Sequence, residues 1–197
     1  GFRLDAVATL LERPDLPGHT LPLAPGAHIN ANDLSRAEYD ELLAHQINQP
    51  GLHDLMRELR ALVEAYPGDR VLVAEDEDVA YHGAGDDELH LVFNFPLMRT
   101  PLLTPAHIRA NQARRLAELP PGAWPCNTLG NHDAPRVLSR YGDGVHDGEL
   151  ARLSLALMLT LKGTPFLYNG EEIGMADLEL TSIEQFRDRA ALVQYDA

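Results

Sequence analysis

Short apolar runs alternate with longer amphipathic stretches along nearly the whole sequence, and each short run ends in polar residues. Val71-Leu72-Val73-Ala74 leads straight into Glu75-Asp76-Glu77-Asp78, and similar runs lie at Leu89–Phe95, Cys126–Leu129 and Pro165–Tyr168. A run of four to seven residues is strand length. Strands separated by helices pair in parallel, because only a long crossover returns the chain to the same edge of a sheet. The alternation therefore predicts an α/β fold with a parallel sheet, its strands delivering polar side chains at their C-terminal ends.

The helical stretches carry their own punctuation. Leu52, Leu55, Met56, Leu59, Leu62 and Val63 recur at helical spacing and stop before Tyr66-Pro67-Gly68. Ile108–Leu119 reads as a second, more polar helix closed by Pro120-Pro121-Gly122. Leu150–Leu161 reads as a third, apolar enough to be buried on most sides. Pro14–Asn32 is rich in Pro, Gly, His and Asn and reads as a long loop, a length that is usually functional or disordered. The sequence begins at Gly1 on what looks like the last residues of a strand. It ends at Gln194-Tyr195-Asp196-Ala197 with no stop signal, so it reads as a piece of something longer.

Charge narrows the function classes. The chain has 16 basic and 30 acidic residues, a net charge of −14, which repels phosphate backbones and anionic lipid. Nucleic-acid and membrane partners are not expected, whereas an uncharged substrate suits the balance. One cysteine, Cys126, rules out an internal disulfide framework, and no signal-like or membrane-spanning run is visible. The expected location is cytoplasmic.

Three segments combine residues able to do chemistry. In Gly1-Phe2-Arg3-Leu4-Asp5-Ala6 the two-residue period of a strand sends Arg3 and Asp5 to one side. A guanidinium there keeps the carboxylate ionised, as a nucleophile requires, although a structural ion pair has the same pattern. Glu75 closes an apolar strand, where burial raises a carboxyl's pKa and lets it donate a proton; the following Asp76, Glu77 and Asp78 read as a solvated acidic loop. Asn131-His132-Asp133 offers paired donors and acceptors for sugar hydroxyls, or equally a turn closed by its own side chains. A metal site built on His82, His90, His132 and Asp133 lacks H-E-x-x-H or C-x-x-C spacing, so neither metal nor cofactor is expected. Leu72, Phe93 and Leu167 are read as core.

Taken together the segments resemble the glycoside hydrolase family often called the α-amylase family, in its α-glucosidase and oligo-1,6-glucosidase branch. Gly1-Phe2-Arg3-Leu4-Asp5 resembles its nucleophile strand, the fourth of a (β/α)8 barrel, and Val71–Glu75 is similar to its acid/base strand, the fifth. Leu129-Gly130-Asn131-His132-Asp133-Ala134-Pro135-Arg136 looks like the seventh-strand motif, and Gly163–Met175 is close to the eighth-strand signature. The match departs at Ala74, where the family usually has glycine. It covers residues 1–197 as a partial TIM barrel, from the end of the fourth strand through the eighth. The first three strands, the inserted domain, the C-terminal β-sandwich and a substrate-gripping Asp and His on the early strands have no counterpart.

The resemblance implies a retaining α-glucoside hydrolase acting on a small oligosaccharide or disaccharide. Asp5 would be the nucleophile, Glu75 the acid/base and Asp133 the third carboxylate; Arg3, His132 and Arg136 would contact substrate or orient Asp5. In this branch valine after the nucleophile goes with α-1,6 bonds, so Ala6 leans toward α-1,4 or sucrose-like substrates. Two other readings share the motifs: an isomerase of the same family, such as a trehalose or isomaltulose synthase, and a non-catalytic relative. The second fits poorly with three carboxylates present. The piece alone is expected to be inactive, with the remainder of the barrel as its possible partner.

Overall fold

The structure, a computed structural model, describes residues 1–22, 34–187 and 192. Five short strands are all parallel to their neighbours: β1 (Phe2–Leu4), β2 (Leu72–Ala74), β3 (Leu91–Val92), β4 (Cys126–Thr128) and β5 (Thr164–Phe166). They form a three-stranded sheet in the order β1-β2-β3 and a two-stranded sheet β4-β5. Each strand is shorter than its apolar run. The clearest case is Leu89–Phe95, read as one strand, in which Phe95 instead opens a helical turn with Pro96 at its start.

Among the described residues six helices connect the strands: α1 (Arg36–Leu43), α2 (Leu52–Glu64), α3 (Phe95–Met98), α4 (Pro105–Glu118), α5 (Val137–Tyr141) and α6 (Asp147–Thr160). Their ends obey the sequence. Ser35 and Glu38 close a capping box at α1, and Thr104 caps α4 ahead of Pro105. α2 starts after Gly51 at φ 93°, a left-handed conformation that glycine adopts freely, and stops at Glu64 before Pro67. Of the Pro14–Asn32 loop, residues 14–22 contain no helix or strand; the rest, like Gln194–Ala197, lies outside the described residues.

The pleat divides side chains between two cores. Leu72, Ala74 and Val92 pack with Leu52, Met56 and Val63 of α2, around Val7 and Tyr81. Fully burying a side chain such as Met56 contributes about 1.5–3 kcal/mol. Val73, Leu91 and Phe93 face the other way, toward Phe95, Met98 and Cys126. A third cluster joins Leu97, Leu129, Val137 and Met158. α6 departs from expectation: only Ser154 and Met158 are buried, while Leu153 and Leu159 are exposed, so one face packs rather than most.

Among the described residues, side chains rather than a backbone ladder join the two sheets. Asn94 donates to Asn127 Oδ1 at 3.0 Å and to Asn111 Oδ1 at 2.8 Å. Gln112 donates to the same Asn127 oxygen at 2.9 Å, and Asn127 Nδ2 donates to Lys162 O at 3.1 Å. This buried amide seam fixes β4 against β3. Among the described residues no helix is long and apolar enough to cross a membrane.

Candidate active site

Parallel register brings the first two candidates together. Leu4 pairs with Ala74, and the Glu75 amide donates to Leu4 O at 2.9 Å, so Asp5 and Glu75 leave adjacent strand ends side by side. Neighbouring strands lie about 4.8 Å apart. Arg3 on β1 and Asp5 just past its end share a side, and the guanidinium reaches both carboxylates: Nη1 to Asp5 Oδ1 at 2.6 Å and Nη2 to Glu75 Oε1 at 2.7 Å. The amide of Ala6 donates to the other Glu75 oxygen at 2.8 Å. Ala6 sits at φ 43°, a left-handed backbone that costs a non-glycine residue about 1–2 kcal/mol.

One guanidinium fork thus holds two carboxyls whose environments differ. Glu75 is only 18% exposed at its side chain, whereas Asp5 is 75% exposed. Burial pushes the Glu75 carboxyl above the ordinary carboxylate range, against the opposing pull of the Ala6 N–H, and the neighbouring Asp5 adds to the rise. The hydrogen bond from Glu75, then the Arg3 guanidinium, hold Asp5 below its ordinary value. The pair carries an ionised Asp5 and a protonated Glu75 over a shared pH range. That division is what a nucleophile and a general acid need.

Asp133 shares a cleft with Glu75, while Asp5 itself lines neither that cleft nor the lobe beside it. A cleft of about 630 Å³ is lined by Glu75, Phe95, Arg99, Asn131, Asp133 and Arg140. It adjoins a second lobe of about 450 Å³, lined by Arg3, Phe93, His132, Phe166 and Tyr168; Phe95 and Asn131 border both. Phe93 stacks on Phe95 at 5.2 Å and meets Phe166 edge-on at 4.8 Å, giving an aromatic floor. Asn131 Oδ1 accepts the Asp133 amide at 3.1 Å, so the self-closed turn exists, yet it leaves His132 and Asp133 more than half exposed. The two alternatives for this segment are therefore compatible.

Arg136 stands apart from the other candidates. Its guanidinium donates to Asn169 O at 2.6 Å and lies over the Tyr168 ring at 4.8 Å, and its amide donates to Asp177. It ties the turn after β5 rather than lining either lobe. Leu167, read as core, is 40% exposed, while Leu72 and Phe93 are buried. The acidic loop is as expected in outline: Asp76 accepts the Glu77 and Asp78 amides, and Asp78 caps the following turn. Glu77, however, pairs with Arg99 at the cleft wall.

His82 is buried, its Nδ1 donating to Leu89 O, and burial depresses its pKa to about 4. His90 Nδ1 accepts the Leu72 amide. Among the described residues no group of three or more His, Cys, Asp or Glu side chains could hold a metal ion. Phe95, Arg99 and Arg140 line the cleft but were not singled out in the sequence. The signal available for Phe95 was the Phe93-Asn94-Phe95 alternation, which puts two aromatic rings on one side of a strand.

Carboxylates at parallel strand ends recur in many barrels, so ancestry decides how this arrangement is read. The sequence profile of the family described as "Alpha amylase, catalytic domain" matches residues 1–196. The chain belongs to the alpha-amylase family. Among its relatives, an oligo-1,6-glucosidase of Parageobacillus thermoglucosidasius is 28% identical over 211 residues, covering 99% of this chain and 35% of that protein. An alpha-glucosidase of Pediococcus pentosaceus is 30% identical over 220 residues, covering 99% of this chain and 36% of that protein. The crystal structure of an alpha-glucosyl transfer enzyme, XgtA, superposes with a TM-score of 0.72 at 28% identity, covering 95% of this chain and 35% of that one. This alpha-amylase-family chain thus spans about a third of the length of the relatives it matches.

Proposed function

We propose that this chain is the C-terminal half of an alpha-amylase-family barrel, its strands four to eight, and carries the catalytic carboxylates of a retaining α-glucosidase. The observation that carries the reading is the Arg3 fork, which grips Asp5 and Glu75 together while their environments drive their pKa values apart. Retaining chemistry needs two carboxyl groups about 5–5.5 Å apart, and adjacent strand ends supply that scale.

In the first step an Asp5 oxygen attacks the anomeric carbon as the glycosidic bond breaks, and Glu75 passes its proton to the departing oxygen. The product is a glucosyl ester on Asp5. In the second step Glu75, now a carboxylate, takes a proton from water as the water oxygen displaces Asp5, which returns both groups to their starting states. Asp133 and His132, exposed across the cleft, hold ring hydroxyls, and Arg3 keeps Asp5 charged and aimed. The substrate is a short α-glucoside. An α-1,4 preference rests on Ala6 alone, and names of the oligo-1,6-glucosidase kind among the relatives do not add to it. Transfer to another sugar hydroxyl shares every step except the acceptor; no residue on this chain singles it out.

The test is product analysis with the full-length protein. Free glucose from maltose is expected, with Asp5→Asn and Glu75→Gln each lowering turnover by at least about a hundredfold while the fold is kept. Full activity in Glu75→Gln would remove Glu75 from the role, and trehalose or isomaltulose as the main product would make the enzyme an isomerase.

A further inference from the structure

The Glu75 strand end is held from below by a residue that neither touches the cleft nor resembles a site residue. Arg115 lies on α4, is 5% exposed, and packs under the C-terminal ends of β2 and β3. Its Nη1 donates to Glu77 O at 2.7 Å, and its Nη2 donates to Val92 O at 2.7 Å and Phe93 O at 3.1 Å. Among the described residues no carboxylate forms an ion pair with it. A guanidinium buried against carbonyl dipoles alone is costly, a cost that methionine at the same place would avoid. The carbonyls it joins are specific: Val92 pairs with Ala74, the residue before Glu75, and Glu77 is two residues beyond it.

Glu75 is therefore fixed on both sides. Its own amide bonds Leu4 O at 2.9 Å, and the chain that leaves it is pinned through Glu77 O to the end of β3. Glu77 also holds Arg99, so the loop's side chain and its backbone are each tied to an arginine. We infer that Arg115 is a positioning residue for Glu75, setting where its carboxyl meets the departing oxygen. This rests on the assignment of Glu75 as the acid/base. Displacing a general acid weakens only those reactions that need its proton.

The experiment compares two substrates in the full-length protein through kcat/KM, which reports the first chemical step. α-Glucosyl fluoride expels fluoride without a proton, whereas maltose expels a sugar hydroxyl that needs one. Arg115→Lys keeps the charge but not the three-carbonyl grip. It is expected to lower kcat/KM about tenfold or more on maltose and no more than about twofold on the fluoride. Arg115→Gln, which retains one donor group, should show the same selectivity, and Arg114→Met on the exposed side of α4 should show none. Equal losses on both substrates, no loss on either, or failure of both Arg115 variants to fold would overturn the inference, since the guanidinium would then serve the core as a whole. Glu75→Gln separates the two claims. If it shows the selective loss and the Arg115 variants do not, only the positioning role falls; if it shows none, the acid/base assignment falls.

Discussion

Among the described residues, Arg3 is the one that forms ion pairs with both Asp5 and Glu75. It lowers the pKa of Asp5 and opposes the rise at Glu75, so removing it moves both groups the same way. Arg3→Met is expected to shift both limbs of the kcat/KM profile to higher pH. The acid limb moves because Asp5 then needs less acidity to become protonated, and the alkaline limb because Glu75 holds its proton longer. The two limbs belong to the pair and move together. A pH series on parent and variant checks this, and limbs moving apart would contradict a shared fork. Much of this site was legible in advance. Arg3, Asp5 and Glu75 sit at strand ends with a two-residue period that any strand imposes. Arg136 was not legible in the same way, because whether a side chain eight residues past the end of β4 turns to the cleft or to Asn169 depends on the loop it meets. Arg99 and Arg140 reach the cleft from α3 and α5, whose placement no local pattern encodes.

Among the elements, strands and long helices followed from periodicity, but their ends and neighbours did not. Phe93-Asn94-Phe95 reads as strand, yet Pro96 lets a helical turn begin at Phe95, because proline fits the first turn of a helix and cannot donate to a ladder. α6 looked buried on most sides from its leucines, but α5, β5 and the turn at Glu171–Ile173 pack against it and leave Leu153 and Leu159 exposed. The seam at Asn94, Asn111, Gln112 and Asn127 was invisible for a related reason: polar residues on a strand and a helix look like surface until packing brings them together. Asn127 accepts two amides and donates to Lys162 O from a side chain that is almost fully buried. Asn127→Leu leaves those partners unpaired and should cost about 3 kcal/mol. Urea unfolding reads this directly; a change below about 0.5 kcal/mol would mean water replaces the amide.

For the molecule as a whole, the three-stranded sheet ends at β1, where Phe2 is exposed and Arg3, on the opposite face, lines the cleft. An edge strand at β1 and a chain that spans about a third of its relatives' length predict that the 197 residues alone turn over little or no p-nitrophenyl α-glucoside. Turnover near that of the full-length protein would refute this. The family could be anticipated from four motifs in order and the parallel sheet from the alternation of short apolar runs with helices, and an exposed sheet edge was expected because the early strands have no counterpart.

The central claim is that a glucosyl group passes through Asp5. A glucosyl fluoride carrying fluorine at C5 slows release of the covalent intermediate, and Glu75→Gln slows it further. Peptide mass spectrometry of the full-length Glu75→Gln protein after such treatment is expected to find the sugar on the peptide that contains Leu4-Asp5-Ala6, at Asp5. A sugar on Asp133, or no adduct while the parent protein continues to hydrolyse substrate, would contradict the account.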